Sequence, residues 1–381
     1  MKVTKHSAAL LATTVAAITA LTMAFGGVAA ATPAEIPPTA QGLADAITAG
    51  LNPLPGGRRA TAIVDTGSSS GSAGVSHASA AVGEGPEQDA FLAAFGYSLL
   101  HPDAAPPGAN RWDCKPSATH PEPVVLVHGT WLNAYDTFAY LSPQLAKAGY
   151  CVFTFNFGRS NLLQGGGIGS IMPGVYGVGP MEDSAAQLAD FVDQVRTATG
   201  VAKVDVVAHS QGGPVARQYL KFNGGAEKVD QLVTFGATHH GTSLLGFATI
   251  GRIMTNIGLD ILGFYQPIIG PANIQQVVGS SFYAKLNADG DTLPGIRYTA
   301  IATTHDEVSN PYEWTFLTAG PDATVDNITV QAGCEQDISD HLTLMYSPRA
   351  TALALQALDP ATPRTIPCTF NPWFFGGGGH L

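Results

Sequence analysis

Charge is what this chain has least of. Only 12% of its 381 residues are Asp, Glu, Lys or Arg, and 29 acids against 18 bases leave a net charge of −11. So few cations disfavour nucleic acid or an anionic membrane surface as partner, because both demand Lys and Arg against phosphates. Cysteine is also scarce. There are four, and no two have CxxC spacing, which excludes a zinc ribbon or a dithiol redox centre. No His/Cys/Asp/Glu cluster with metal-ligand spacing, no cofactor fingerprint and no internal repeat occurs, so neither metal nor cofactor is expected. Past the first 31 residues, no apolar run is both long and uncharged enough to span a bilayer.

The N-terminus has the marks of an export sequence. Lys2 and Lys5 precede the uncharged, mostly apolar stretch Ala8–Ala24, and Val28-Ala29-Ala30-Ala31 supplies small residues for cleavage near Ala30-Ala31. Residues 1–31 are therefore expected to be removed, leaving a secreted, extracellular protein. In that compartment four cysteines suggest two disulfides. Three pairings are possible; Cys114–Cys151 and Cys334–Cys368 are favoured because each joins neighbouring predicted segments. Residues 32–105 are rich in Ala, Gly, Ser and Pro and are expected to be partly disordered, with one short helix over 88–100.

From Pro123 the texture changes. Val124–Val127 reads as a buried strand, 135–147 as a helix and 150–155 as the next strand. Ala185, Leu188, Phe191, Val192 and Val195 recur at helical spacing within 183–199. Further strands are expected over 203–208, 229–235, 297–302 and 327–331, and a last helix over 350–358. This alternation predicts an α/β domain over 106–381, with a mostly parallel central sheet and helices on both faces.

Within that framework Ala208-His209-Ser210-Gln211-Gly212-Gly213 lies between a strand and a helix. A serine there, with small residues two positions before and after it, is the pattern of a nucleophile elbow. Such a turn presents the Ser210 hydroxyl and directs the Gln211 N–H toward a developing oxyanion. Two more strand ends carry suitable groups. Asp306 follows the strand at 297–302, and His341 lies in the loop after the strand at 327–331. The order Ser, acid, His is that of the α/β-hydrolases. A serine hydroxyl needs a base, and the base needs a carboxylate to fix its tautomer. Glu307, Asp322 and Asp326 compete with Asp306. Asp337 and Asp340 read as solvated or loop-capping groups. His305, His380, His209 and the pair His239-His240 compete with His341. Val127-His128-Gly129-Thr130 offers a second oxyanion donor, the Thr130 N–H, with His128 read as a loop-fixing residue.

Together His128-Gly129-Thr130, the 208–213 elbow, Thr304-His305-Asp306-Glu307-Val308 and Asp340-His341-Leu342 resemble the secreted class 2 lipases of actinobacteria, over roughly 106–367. The resemblance implies an α/β-hydrolase fold and a serine carboxylester hydrolase acting on acylglycerols and simpler esters. Apolar segments near 160–182 and 241–275 are expected to form a cap or lid, with Leu163, Ile171, Leu244, Leu245 and Phe247 against the acyl chain; the second segment holds no charge apart from Arg252 and Asp260. Acyl transfer or polyester hydrolysis by the same residues is the alternative, followed by a non-catalytic binding protein on the same scaffold. The expected partner is a lipid or ester substrate at a lipid–water interface.

Overall fold

A computed structural model describes residues 79–161, 167–242 and 270–377. Seven strands form one sheet in the order β1-β3-β2-β4-β5-β6-β7. They are β1 (Ser79–Ala80), β2 (Val124–Val127), β3 (Val152–Asn156), β4 (Val204–His209), β5 (Val229–Phe235), β6 (Arg297–Ala302) and β7 (Thr324–Thr329). All neighbours pair in parallel except β1, which is antiparallel to β3. The expected parallel sheet, helices on both faces, is present.

Parallel strands buried on both sides favour near-continuous apolar runs. In β2, Val125 and Val127 join Phe153, Phe155 and Val206 on one face, under α4 (Met181–Thr199) and α5 (Gly212–Phe222). Val124 and Leu126 join Val207, Val233 and Phe235 on the other. That second face is covered by α1 (Phe91–Ser98), α2 (Ala134–Phe138), α3 (Leu141–Lys147) and, after β7, α8 (Pro348–Leu358). Two short helices, α6 (Pro271–Gln275) and α7 (Ser281–Leu286), precede β6.

The single helix expected over 135–147 is two. Pro143 has no N–H to give the Ala139 carbonyl, and that carbonyl instead accepts from the Gln88 N–H at 3.4 Å. The Asn133 side chain caps α2 and the Asp136 carboxylate returns the bond. Strand β7 also sits earlier than expected. Its pairing with β6 runs from Arg297↔Thr324 to Ala302↔Thr329, and its half-exposed, polar edge position leaves no apolar alternation to read.

Residues 79–105 pack into the same unit. Besides β1, the Tyr135 hydroxyl donates to the Pro86 carbonyl at 2.6 Å, and Phe91 of α1 meets Tyr346 edge-on. Disulfides join Cys114 to Cys151 and Cys334 to Cys368. Residues 1–78, 162–166 and 243–269, which include the expected export sequence and most of the expected cap, lie outside the described residues.

Two carboxyls are buried in the body of the sheet and its flank. Burial pushes Asp205 on β4 up to about 8, against one hydrogen bond from Gln231. It pushes Asp136 in α2 up to about 7, against bonds from Asn133, Ser98 and Thr137.

Candidate active site

The strand registers align the chemistry. Val127 pairs with Ala208, His209 with Phe235, and Phe235 with Ile301. The residues that follow, Gly129-Thr130, Ser210 and Gly236, therefore emerge together at the carboxyl ends of the strands. Strand β2 lies between β3 and β4, so the chain changes direction across the sheet there. The crevice beside such a reversal is where α/β sheets place ligands.

Ser210 makes the elbow between β4 and α5. Its φ is +53°, a left-handed value that a non-glycine residue adopts only when its surroundings impose it. Those surroundings leave Gly212 no room. A Cβ there would lie 2.3 Å from the Val127 carbonyl oxygen. The Ser210 N–H donates to the Phe235 carbonyl at 3.0 Å, which ties the turn to β5.

His341 Nε2 lies 2.8 Å from Ser210 Oγ. Its Nδ1 lies 2.9 and 3.0 Å from the two oxygens of Asp306. Asp306 Oδ1 also accepts from the Val308 and Ser309 N–H groups at 2.9 and 2.6 Å. All three residues are buried. Burial opposes a charged imidazole at His341, but the charge of Asp306 and its hydrogen bond, with help from Glu307 and Asp340, outweigh it and raise its pKa above the ordinary value. Gly236 makes room for this pair. A Cβ there would lie 3.0 Å from Asp306 Oδ2 and 3.2 Å from His341 Nδ1.

Thr130 and Gln211 converge on Gly177, where a Cβ would meet Gln211 Oε1 at 2.7 Å, the Gly129 carbonyl at 2.8 Å and Thr130 Cα at 3.1 Å. A cleft beside them is lined by Thr130, Trp131, Ser210, Gln276, His341 and Leu342. Gln276 carried no motif, yet its amide is the hub of this wall. Its Nε2 donates to Thr130 Oγ1 at 2.6 Å, and its Oε1 accepts from Thr238 Oγ1 at 3.0 Å. The Tyr283 hydroxyl in turn donates to Thr238 Oγ1 at 3.1 Å.

The competing residues fall elsewhere. His305, Asp322 and Asp326 are exposed. Glu307 accepts from the His341 N–H at 3.3 Å. Asp337 and Asp340 are buried loop caps and not solvated groups. Asp337 takes Ser339 and Ser347, and Asp340 takes Leu342 and Thr343. Asp340 is satisfied by N–H groups two and three positions on, and Asp337 by the Ser339 N–H and the hydroxyl of Ser347, a partner ten positions away. His128 fixes its loop, with Nδ1 to the Gly129 carbonyl at 2.8 Å and Nε2 accepting the Phe157 N–H at 3.2 Å. His209 holds the His341 carbonyl at 2.9 Å. His239 meets Thr234, and His240 meets Asp291, which also pairs with Arg217. Ile171 is exposed and lines a separate depression with Asp103, Arg159 and Tyr176. Leu163, Leu244, Leu245, Phe247 and His380 lie outside the described residues. Among the described residues there is no three-residue His/Cys/Asp/Glu group able to hold a metal ion, and no helix long and apolar enough to cross a membrane.

A parallel sheet of this strand order, with an elbow at the reversal point, defines an α/β-hydrolase. Within that class, the profile of the class 2 lipases matches residues 121–336, and the chain belongs to that family. Curated relatives include a triacylglycerol lipase of Pseudarthrobacter phenanthrenivorans, 28% identical over 186 residues, or 48% of this chain and 51% of that protein. A triacylglycerol lipase of Burkholderia plantarii is 28% identical over 205 residues, covering 53% and 50%. The chain thus spans about half the length of the curated relatives it matches. Among solved structures, Aspergillus fumigatus lipase B shares the fold at TM-score 0.50 and 21% identity, over 67% of this chain and 55% of that one.

Proposed function

We propose that this protein is a secreted serine carboxylester hydrolase that cleaves acylglycerols or other lipophilic esters. The observation that carries the reading is the bonded series Ser210 Oγ, His341 Nε2, His341 Nδ1, Asp306. In it, His341 takes the Ser210 proton as Oγ attacks the ester carbonyl. Asp306 holds the imidazole tautomer with Nε2 unprotonated and stabilises the imidazolium that forms. The N–H groups of Thr130 and Gln211 receive the oxyanion. Collapse expels the alcohol, protonated by His341, and leaves an acyl-serine. Water, deprotonated by His341, then releases the acid. The two disulfides and the export-type N-terminus support an extracellular site of action. The family and the apolar character of 160–182 and 241–275, expected as a cap over the acyl chain, support a lipophilic substrate.

The test is hydrolysis of p-nitrophenyl esters from short to long acyl chains by the protein and its Ser210→Ala variant. The expected result is a loss of about 10³-fold or more in the variant at every chain length. Equal rates in both would overturn the assignment of Ser210.

A further inference from the structure

The last described turn of the chain carries a surface that ester hydrolysis itself does not use. Phe370, Trp373, Phe374 and Phe375 are 47%, 48%, 41% and 58% exposed. The rings of Trp373 and Phe374 lie 5.7 Å apart, and those of Phe374 and Phe375 5.9 Å apart. The three consecutive side chains thus make one continuous aromatic surface.

This surface is held in place from beneath. Asn371 is buried, and its Nδ2 donates to Ser339 Oγ at 2.8 Å and to the Thr343 carbonyl at 3.0 Å. The Phe374 N–H donates to Asp340 Oδ2 at 2.7 Å. The Phe91 N–H donates to the Phe375 carbonyl at 2.9 Å, and the Gly376 N–H to the Pro372 carbonyl at 3.0 Å. The Cys334–Cys368 disulfide pins the approach. Phe374 itself sits at φ +65°, a left-handed conformation that is unfavourable for a bulky residue. Buried polar bonds and a strained backbone together keep three large apolar rings in water. Contiguous exposed apolar surface of this kind marks a binding face.

Charge points to the occupant. After Arg364 the sequence contains no Asp, Glu, Lys or Arg, while the whole chain carries −11. The aromatic residues of the patch themselves carry no charge, and the protein as a whole is repelled by anionic surfaces. An uncharged or zwitterionic lipid–water interface presents what Trp and Phe favour, an apolar layer under a polar one. The patch is also tied to the loop that carries His341. Asp340, which holds Phe374, precedes His341, and Leu342 lines the cleft. Resting on the ester-hydrolase reading, we propose that Trp373-Phe374-Phe375 is an anchor that seats the protein on a neutral lipid–water interface beside the Ser210 cleft.

The test uses the full chain with Ser210→Ala, so that binding is read without turnover. Co-sedimentation with phosphatidylcholine vesicles is compared with and without Trp373→Ser and Phe375→Ser; Phe374 is left unchanged. The expected result is a fall in the partition coefficient of roughly ten-fold or more. The same pair of substitutions, with Ser210 intact, leaves hydrolysis of soluble p-nitrophenyl butyrate within about two-fold, which also reports that the variant is folded. Vesicle binding that is absent in the parent, or unchanged by the substitutions, would overturn the anchor. So would a dimer in sedimentation velocity that the substitutions dissolve, which would assign the patch to a second copy of the chain. Vesicle binding through these residues by a chain that, with Ser210 intact, hydrolyses no ester would instead reject the hydrolase reading and leave the anchor standing.

Discussion

The side-chain amide of Gln276 donates to Thr130 Oγ1 at 2.6 Å, joining the segment after α6 to the loop after β2. Because Thr238 and Tyr283 fix the other end of that amide, Thr130 is positioned by a series of three hydrogen bonds. Its backbone N–H, the proposed oxyanion donor, inherits that position. Gln276→Leu preserves size and removes the series. With about 1 kcal/mol for such a bond, kcat on p-nitrophenyl butyrate is expected to fall about five- to ten-fold with KM nearly unchanged. A rise in KM with kcat unchanged would place Gln276 in ground-state binding instead.

The raised pKa of His341 fixes the direction of the pH profile. Only the neutral imidazole can accept the Ser210 proton, so kcat/KM rises with pH through an apparent pKa above the ordinary imidazole value. Asp306→Asn removes the largest favourable charge. The ascending limb is expected to move to lower pH, and the rate to fall by about 10⁴-fold. Rates measured from pH 5 to 9 for both proteins decide the point; an unmoved limb would mean that another group titrates.

Asp205 works in the opposite sense to an ordinary ion-paired carboxylate. Its folded pKa is raised to about 8 by burial, from 3.8, so the folded state holds a proton that the unfolded state releases. Stability is therefore full at acid pH and declines as pH rises from about 4 toward about 8. Asp205→Asn is expected to flatten this decline, seen as a smaller difference in Tm between pH 5 and pH 8. The protein thus loses stability over the range in which its proposed base becomes competent. An unchanged Tm difference would rule out Asp205 as the titrating group.

Gly236 is expected to tolerate no side chain. Gly236→Ala forces a Cβ at φ +51° to within 3.0 Å of Asp306 Oδ2 and 3.2 Å of His341 Nδ1. Gly200→Ala, at φ +80° with nothing within 4 Å of the added carbon, isolates the backbone cost of about 1 kcal/mol. Gly236→Ala should lower Tm further than that control and lower kcat as well, whereas Gly200→Ala should leave kcat alone. Matching kcat values for the two variants would show that the Asp306–His341 pair absorbs the intrusion.

The fold was legible where burial dictates residue type. The strands at Val229–Phe235 and Arg297–Ala302 have the bounds that their apolar runs suggest, because both faces of a parallel sheet must be filled. The elbow could be read because sterics at Gly212 leave one residue type. Legibility failed where a long-range partner decides the outcome. The break between α2 and α3 depends on Pro143 and on Gln88 reaching the freed Ala139 carbonyl. Gln276 gives no local sign of its tie to Thr130, a residue 146 positions away. The burial of Asp337 and Asp340 follows from loop N–H groups that composition counts as polar and exposed.

The order of the site along the chain has a consequence for the cell that makes it. Ser210 is translated 131 residues before His341, and Asp340 gains its bond from Phe374 only after another 34. On the ribosome the elbow therefore emerges without its base, and the base emerges before its loop is braced. A chain that ends before His341 presents the Ser210 hydroxyl without its proposed base. On the proposed roles, activity therefore comes late in synthesis, after the segment that carries His341 has emerged.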